Sequence, residues 1–472
     1  MFVHTHVRFC GVGQGLYTHG RTRLINPPGT TDLSIEWVYD CGSMNESTIN
    51  ASVREHASEQ RRDLEFVVIS HLDIDHIRGL PALLKAYRVK RIVLPYHQRT
   101  IRLCWGLSEL DGNVPIDQVR TLIGLWRDPV QTIRAMIPSA GAEDGPQIIL
   151  VPPSREQAPD EYPPDNPNRD NEPYLPLSAD EDTELPSGDA HTAVLVPSRP
   201  IIYFRHWEFL PYVDPTSHDA YLSFSSDTKD TLDKKLDDIL TASQQNNMTG
   251  EDLWEKIVAF KEVFYAAISA VKVGNGQRPR ASSKQKNEIS LIGYFGAINH
   301  KRDLAWAAPG SNYRDARGAP DFPFFAQVAR GGLLCTGDAF LESAESIKSL
   351  ETVLGSKRMA NIACHQVAHH GSKHNSNALT HQSVNAPVNV FCANPNAKDN
   401  HPAKETVRAY ARWLPSPNAP KHRTRRPLVN DTDFEMCMVG ACSDEAERGM
   451  SRALHAGYPL WSYDSRYWRY YD

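Results

Sequence analysis

The run Val67-Val68-Ile69-Ser70-His71-Leu72-Asp73-Ile74-Asp75-His76, followed by Ile77-Arg78-Gly79-Leu80, decides the fold. A β-branched apolar run stops abruptly at two histidines and two aspartates within six residues, and a helix-like apolar segment follows. Such a run reads as a buried parallel strand. The turn beyond the carboxyl end of such a strand is where open α/β sheets place their chemistry. Imidazole and carboxylate donors at this spacing suit a hard or borderline divalent ion such as Zn²⁺ or Mn²⁺. An exposed polar loop accounts for the charge but not for the alternation of His and Asp.

With 472 residues, 40% of them hydrophobic and 23% charged, the chain can bury full cores and has room for two or three domains. No stretch approaches the ~20 apolar residues of a membrane span, and Met1 to Cys10 lacks a signal-peptide layout. The eight cysteines are scattered, several inside apolar runs, which reads as reduced thiols in a cytoplasmic protein. A net charge of −6 gives no global attraction to nucleic acid, so any such binding needs a local basic patch.

Outward from the central run, Phe2 to Cys10 and Ser34 to Tyr39 read as strands. The first enters the glycine turn Gly11-Val12-Gly13-Gln14-Gly15, and the second ends at Asp40-Cys41-Gly42-Ser43. Helices are expected over Glu46 to Gln60, Pro81 to Tyr87 and Ile116 to Ile137, with strands at Arg91 to Leu94 and Gln147 to Val151. Pro152 to Gly188, rich in Pro, Asp, Glu and Asn, buries too little to repay ordering and reads as a flexible acidic loop. Strands resume at His191 to Pro197 and Ile201 to Phe204, then helices at Asp227 to Ala242 and Glu251 to Val273. The basic link Gly274 to Lys286 leads to a strand at Glu288 to Gly296. Two later strands end in chemistry: Gly331 to Thr336 delivers Asp338, and Asn361 to Ala368 delivers His369-His370-Gly371-Ser372-Lys373. A strand at Val388 to Ala393 and a helix opening at His401-Pro402 complete an α/β layered pattern. Three strand ends thus offer ligands, enough for two metals with Asp338 between them.

Here the chain resembles a known family. Ser70 to His76 with Gly79 looks like the His-x-Asp-x-Asp-His motif of metallo-β-lactamase-fold hydrolases, and it is closest to the ComEC-type branch. That branch is the hydrolase domain of bacterial DNA-uptake channels and its free-standing relatives. Val12 to Gly15, Asp40 to Gly42, Thr336 to Asp338 and His369 to Ser372 match further motifs in family order, and Asn287 and His401-Pro402 resemble additional landmarks. The resemblance implies an αββα sandwich with a large insertion. Residues 1–151 would form the first half, 152–286 the insertion and 287–472 the second half. It also implies two divalent ions. His71 and Asp73 would bind one, Asp75 and His76 the other, and Asp338 would bridge them, with Asp75, His76 and Asp338 central to catalysis. His370 is favoured as a ligand, with His369 orienting it. The separate histidine that completes the first site in many relatives has no obvious counterpart, His191, His206 and His218 being candidates.

The resemblance further implies phosphodiester hydrolysis, with DNA the favoured substrate. Ser372, Lys373, Gln14 and Asn287 are candidate substrate contacts. Arg278 to Lys286, Lys421 to Arg426 and the aromatic, basic tail Tyr458 to Tyr471 are candidate nucleic-acid contacts. Free-standing relatives occur beside proteases or signalling NTPases in antiphage defence loci. Together with the acidic stretch, this makes a latent enzyme released by proteolysis or a partner an expectation. The alternatives are a hydrolase of small phosphodiesters or phosphorylcholine-like esters, and a non-catalytic metal-binding module.

Overall fold

The apolar runs assemble into two sheets stacked face to face. The computed structural model describes residues 2–25, 33–59, 63–110, 116–137, 145–160, 173–178, 191–245, 249–270, 289–298, 302–309, 325–328, 330–393, 401–411, 428–429 and 434–441. The first sheet runs Phe325–Val328, Arg302–Pro309, Phe434–Ala441, Phe2–Phe9, Tyr17–Ile25, Leu33–Cys41, Phe66–Val68, Arg91–Pro95, Gln147–Val151, Thr192–Val194. It is antiparallel as far as Leu33–Cys41 and parallel beyond it. The second runs Ile201–Tyr203, Trp207–Val213, Leu291–Ala297, Gly332–Cys335, Ile362–Gln366, Val388–Phe391, Leu428–Val429, and its last four strands are parallel.

Side chains alternate across each strand, so Trp37, Tyr39, Phe66 and Val68 of one sheet meet Phe209, Phe295 and Leu333 of the other in a common core. Rings carry much of that seam: Phe295 stacks on Trp37 at 4.5 Å and on Phe209 at 4.8 Å between centroids. Helices cover both outer faces. Those over the first sheet pack Leu83, Ile123 and Phe260 into one cluster, and Ala344–Asn361 packs Leu350 and Val353 over the second. The result is the expected αββα sandwich.

The described elements within residues 152–286 join both sheets. Thr192–Val194 is an edge strand of the first sheet, and Ile201–Tyr203 and Trp207–Val213 begin the second. Helices Ser226–Gln244 and Gly250–Ala270 share a core with Arg99–Glu109, as in the edge-on contact of Trp105 and Phe264 at 5.2 Å. Parts of the acidic stretch are also packed. Ala158 N–H donates to Val353 O at 2.9 Å, and Tyr174 N–H to Ile202 O at 2.8 Å. Arg358, in a buried pair with Glu208 (2.8 and 3.1 Å), donates to Pro159 O. The rest of Pro152–Gly188, the link Gly274–Lys286, Asn287, Lys421–Arg426 and the tail Tyr458–Tyr471 lie outside the described residues. The expected helix Ile116–Ile137 is two, Ile116–Arg127 and Pro129–Met136. Asp128 caps the second by accepting from Gln131 N–H, and Pro129 occupies its first turn.

Candidate metal centre

Parallel strands of both sheets end at one edge, and the loops that follow them build the site. From the first sheet come Asp40, at the end of Leu33–Cys41, and the loop 70–76, after Phe66–Val68. From the second come Asp338, after Gly332–Cys335, and His369-His370, after Ile362–Gln366. Gln366 presents Asp338: its Oε1 accepts from Thr336 N–H and Gly337 N–H at 2.8 and 2.9 Å. Across the seam, Leu291 N–H donates to Ser70 O at 2.7 Å and Tyr39 OH to Leu291 O at 2.6 Å.

The glycine turns serve this loop. A Cβ on Gly42 would lie 2.3 Å from the Asp75 carbonyl carbon, and one on Gly15, whose φ is +150°, would lie 2.5 Å from Gly42 O. Only glycine lets three backbone segments press together here. Gln14 belongs to this turn, where its backbone carbonyl accepts from Met44 N–H at 2.8 Å.

Four histidines and three aspartates converge. His76 Nε2 lies 3.1 Å from Asp338 Oδ1, and His370 Nε2 lies 3.9 Å from the same oxygen and 3.1 Å from Asp75 Oδ2. Asp338 Oδ2 faces the other way, 3.8 Å from His71 Nε2 and 3.6 Å from His369 Nε2. Asp73 Oδ2 is 3.5 Å from His71 Nε2. One carboxylate thus stands between two groups of donors. His71, His76 and Asp338, and likewise Asp75, His76 and His370, offer ligand atoms within 4.8 Å of one another. His71, His76, His370 and Asp338 are buried, whereas Asp73, Asp75 and His369 are partly exposed and line the mouth.

Tautomers follow from the groups behind each ring. His76 Nδ1 lies 2.8 Å from Asp40 Oδ2, His370 Nδ1 2.6 Å from Cys392 O, and His369 Nδ1 2.9 Å from Asn375 Oδ1. These oxygens only accept, so each Nδ1 carries the proton. Ser70 Oγ spends its hydrogen on Asp40 Oδ2 at 2.6 Å and so accepts from His71 Nδ1 at 3.0 Å. All four rings therefore turn Nε2 toward the centre, the arrangement of metal-ligating imidazoles oriented by their outer partners. Asp40, wholly buried, also accepts from Ser70 N–H at 2.6 Å. Asp40, His369 and His370 all have φ near +50° (56°, 48°, 53°), a conformation that side chains adopt at a cost and that clusters at functional sites.

The donor set fits a divalent cation. His71 Nε2, His76 Nε2 and Asp338 Oδ1 are buried without a hydrogen-bond partner among the described residues, although the last two are 3.1 Å apart. Together with His71, these two atoms form a group that could hold one ion. Electrostatics agree. Burial opposes the charge on His76, yet Asp338, Asp40 and Asp75 raise its pKa well above the ordinary value. For His370, burial is likewise outweighed by Asp338 and Asp75. Burial would also raise the two carboxyls, but His76 and His370 hold Asp75, and His369, His76 and His370 hold Asp338, well below the usual carboxylate range. Metal binding would release the protons that these imidazoles hold.

Of the remaining candidates, Ser372 is buried and its Oγ accepts from His374 N–H at 3.3 Å, while Lys373 is exposed. His191, His206 and His218 belong to neither donor group. His369 occupies the side of Asp338 that faces His71, where that extra histidine was sought. The sequence reading missed Asp40, Asn375 and Gln366 as positioning residues. Only the triplet Asp40-Cys41-Gly42, noted as a landmark, pointed toward one of them.

The fold is consistent with the metallo-β-lactamase αββα sandwich. Residues 37–196 match the family model described as the metallo-beta-lactamase superfamily. Members of that superfamily are generally hydrolases and usually bind divalent metals. A search of the curated proteins gave no match. Among the described residues no helix is long and apolar enough to cross a membrane.

Proposed function

We propose that the chain is a metal-dependent phosphodiester hydrolase of the ComEC-type branch, a nuclease acting on DNA, with two divalent ions (Zn²⁺ or Mn²⁺) sharing Asp338. The observation that carries this reading is the set of four histidines presenting Nε2 on both sides of one carboxylate. His71, Asp73, His369 and Asp338 would hold one ion, and Asp75, His76, His370 and Asp338 the other. Bound divalent ions neutralise charge on a phosphoryl group and lower the pKa of water. The chain's own part is to fix the donors. Asp40, Ser70, Asn375 and the Cys392 carbonyl hold the rings, and the seam between the sheets keeps water from the buried side. Asp73, Asp75 and His369, which are partly exposed, mark the side from which a substrate would approach.

The test is hydrolysis of supercoiled DNA, single-stranded DNA, RNA and a small chromogenic diester with Mn²⁺, Mg²⁺ or Zn²⁺, set against the double variant Asp75→Ala/His76→Ala. DNA cleavage lost in the variant is the expected result. Turnover of the small diester alone would replace the nuclease reading with a small-molecule one. Repeating the assay after limited proteolysis tests latency, and an unchanged rate would reject release by cleavage.

A further inference from the structure

The metal loop ends in a cation that the centre does not use. Arg78 closes the short helix Ile74–Ile77 and is itself in the helical conformation (φ −56°, ψ −31°). It therefore stands one turn after Asp75 on the same face. The Asp75 carboxylate on that face is partly exposed and meets His370 Nε2 at 3.1 Å. Arg78 is partly exposed as well.

Its head group is fixed in place. Nη1 donates to Ser43 O at 3.4 Å and to Met44 O, in the turn whose Gly42 presses on the Asp75 backbone. Both hydrogens of Nη1 are thereby spent. A guanidinium has three more, on Nε and Nη2. Among the described residues neither of those atoms makes a hydrogen bond, and no carboxylate pairs with the side chain. Two neutral carbonyls thus orient the charge without cancelling it. The edge left over, Nε with Nη2, is the fork that grips a phosphate by two parallel hydrogen bonds. Met44, beside it, is 57% exposed, so the turn is open to solvent here. A cation held by its back, with its fork free next to a metal loop, suits an anionic group carried by the substrate.

We propose that Arg78 binds the phosphate next to the scissile one, gripping a nucleic-acid strand on the Asp75 side of the centre. The proposal rests on the phosphodiesterase reading above and adds to it a specificity-determining residue. A strand offers Arg78 a second phosphate, and a small diester does not.

The test uses the full chain, Mn²⁺ and a fluorescein-labelled single-stranded oligothymidine whose phosphorothioate linkages keep the charge and resist cleavage. Anisotropy over a series of KCl concentrations gives the affinity and its salt dependence. Arg78→Gln, which removes the charge, should weaken binding about 10-fold or more, as expected for a lost charge-assisted hydrogen bond. It should also lower the slope of log affinity against log salt by about 0.7, the share of one phosphate contact on a single strand. Arg78→Lys, which keeps the charge without the fork, should lose affinity but keep the slope. Turnover of a small chromogenic diester, and Mn²⁺ affinity from chelator competition, should match the wild type in both variants. An unchanged slope in Arg78→Gln would overturn the proposal, and so would a wild type that does not bind the strand. A loss of Mn²⁺ affinity or small-diester turnover equal to the loss of strand affinity would also overturn it, because Arg78 would then be only a prop for the turn. An Arg78-dependent slope in a chain that cleaves no unmodified strand would keep the phosphate site and reject the nuclease. Cleavage with an Arg78-independent slope would do the reverse.

Discussion

Replacing Asp40 by Asn should disable the centre while leaving the fold intact. Asp40 accepts from Ser70 N–H, Ser70 Oγ and His76 Nδ1 at 2.6, 2.6 and 2.8 Å. Asparagine has one acceptor. Its oxygen can keep the backbone bond, which puts its NH₂ against His76. His76 must then accept at Nδ1 and carry its proton on Nε2, the atom that faces Asp338. The backbone supplies the control, since Asn tolerates a φ of 56° at least as well as Asp, so no new strain arises. Losing a charge-assisted hydrogen bond costs about 1.5–3 kcal/mol, which corresponds to roughly 10- to 100-fold in metal affinity, the range seen when groups behind metal ligands are lost. Competition with a chromogenic chelator measures this directly, with circular dichroism as the check on folding. A folded Asp40→Asn chain that binds Mn²⁺ or Zn²⁺ as tightly as the wild type would refute the tautomer argument.

Two further outcomes concern stability. Gly42→Ala places a methyl 2.3 Å from the Asp75 and His76 backbone and should cost at least 1–3 kcal/mol, together with metal affinity. Gly124→Ala, in helix Ile116–Arg127 with open space around the added carbon, should instead gain about 0.5–1 kcal/mol, and urea midpoints report both signs. His365 is fully buried, and burial, aided by His381, lowers its pKa to about 3. Its folded pKa lies below the unfolded value of about 6.5, so the unfolded chain takes up the proton first, and stability falls as pH drops from 6.5 toward 3. Between pH 6.5 and 5.5 the loss is about 1 kcal/mol. His365→Leu should therefore gain that much relative to the wild type over the same interval, and a pH-independent difference between the two would reject the assignment.

Much of the candidate site was legible because its candidate donors sit at the ends of apolar runs, where period and polarity change together. His71 to His76, Asp338 and His369-His370 are read in this way, and so is the layered class. What escaped had no local signature. Trp207–Val213 is buried along its whole length, so it lacks the alternation that marks a half-exposed strand. Phe434–Ala441 pairs with Phe2–Phe9 at the opposite end of the chain, a partnership that no sequence window contains. The strands within residues 152–286 stand at the edges of both sheets, a placement that no local pattern in that stretch encodes. Asp40 looked like part of a turn, because its role depends on a left-handed backbone that aims it at a ring 36 residues away.

Asp338 and the two histidines beyond it leave one sheet, and the loop 70–76 leaves the other. In a chain made from its amino terminus, hundreds of residues are synthesised between the first ligand and the last, and until His370 has emerged and the sheets have closed no complete centre exists. Truncated or half-folded products therefore lack the assembled constellation. Because the candidate donors are divided between the sheets, the candidate centre arrives only with a finished fold.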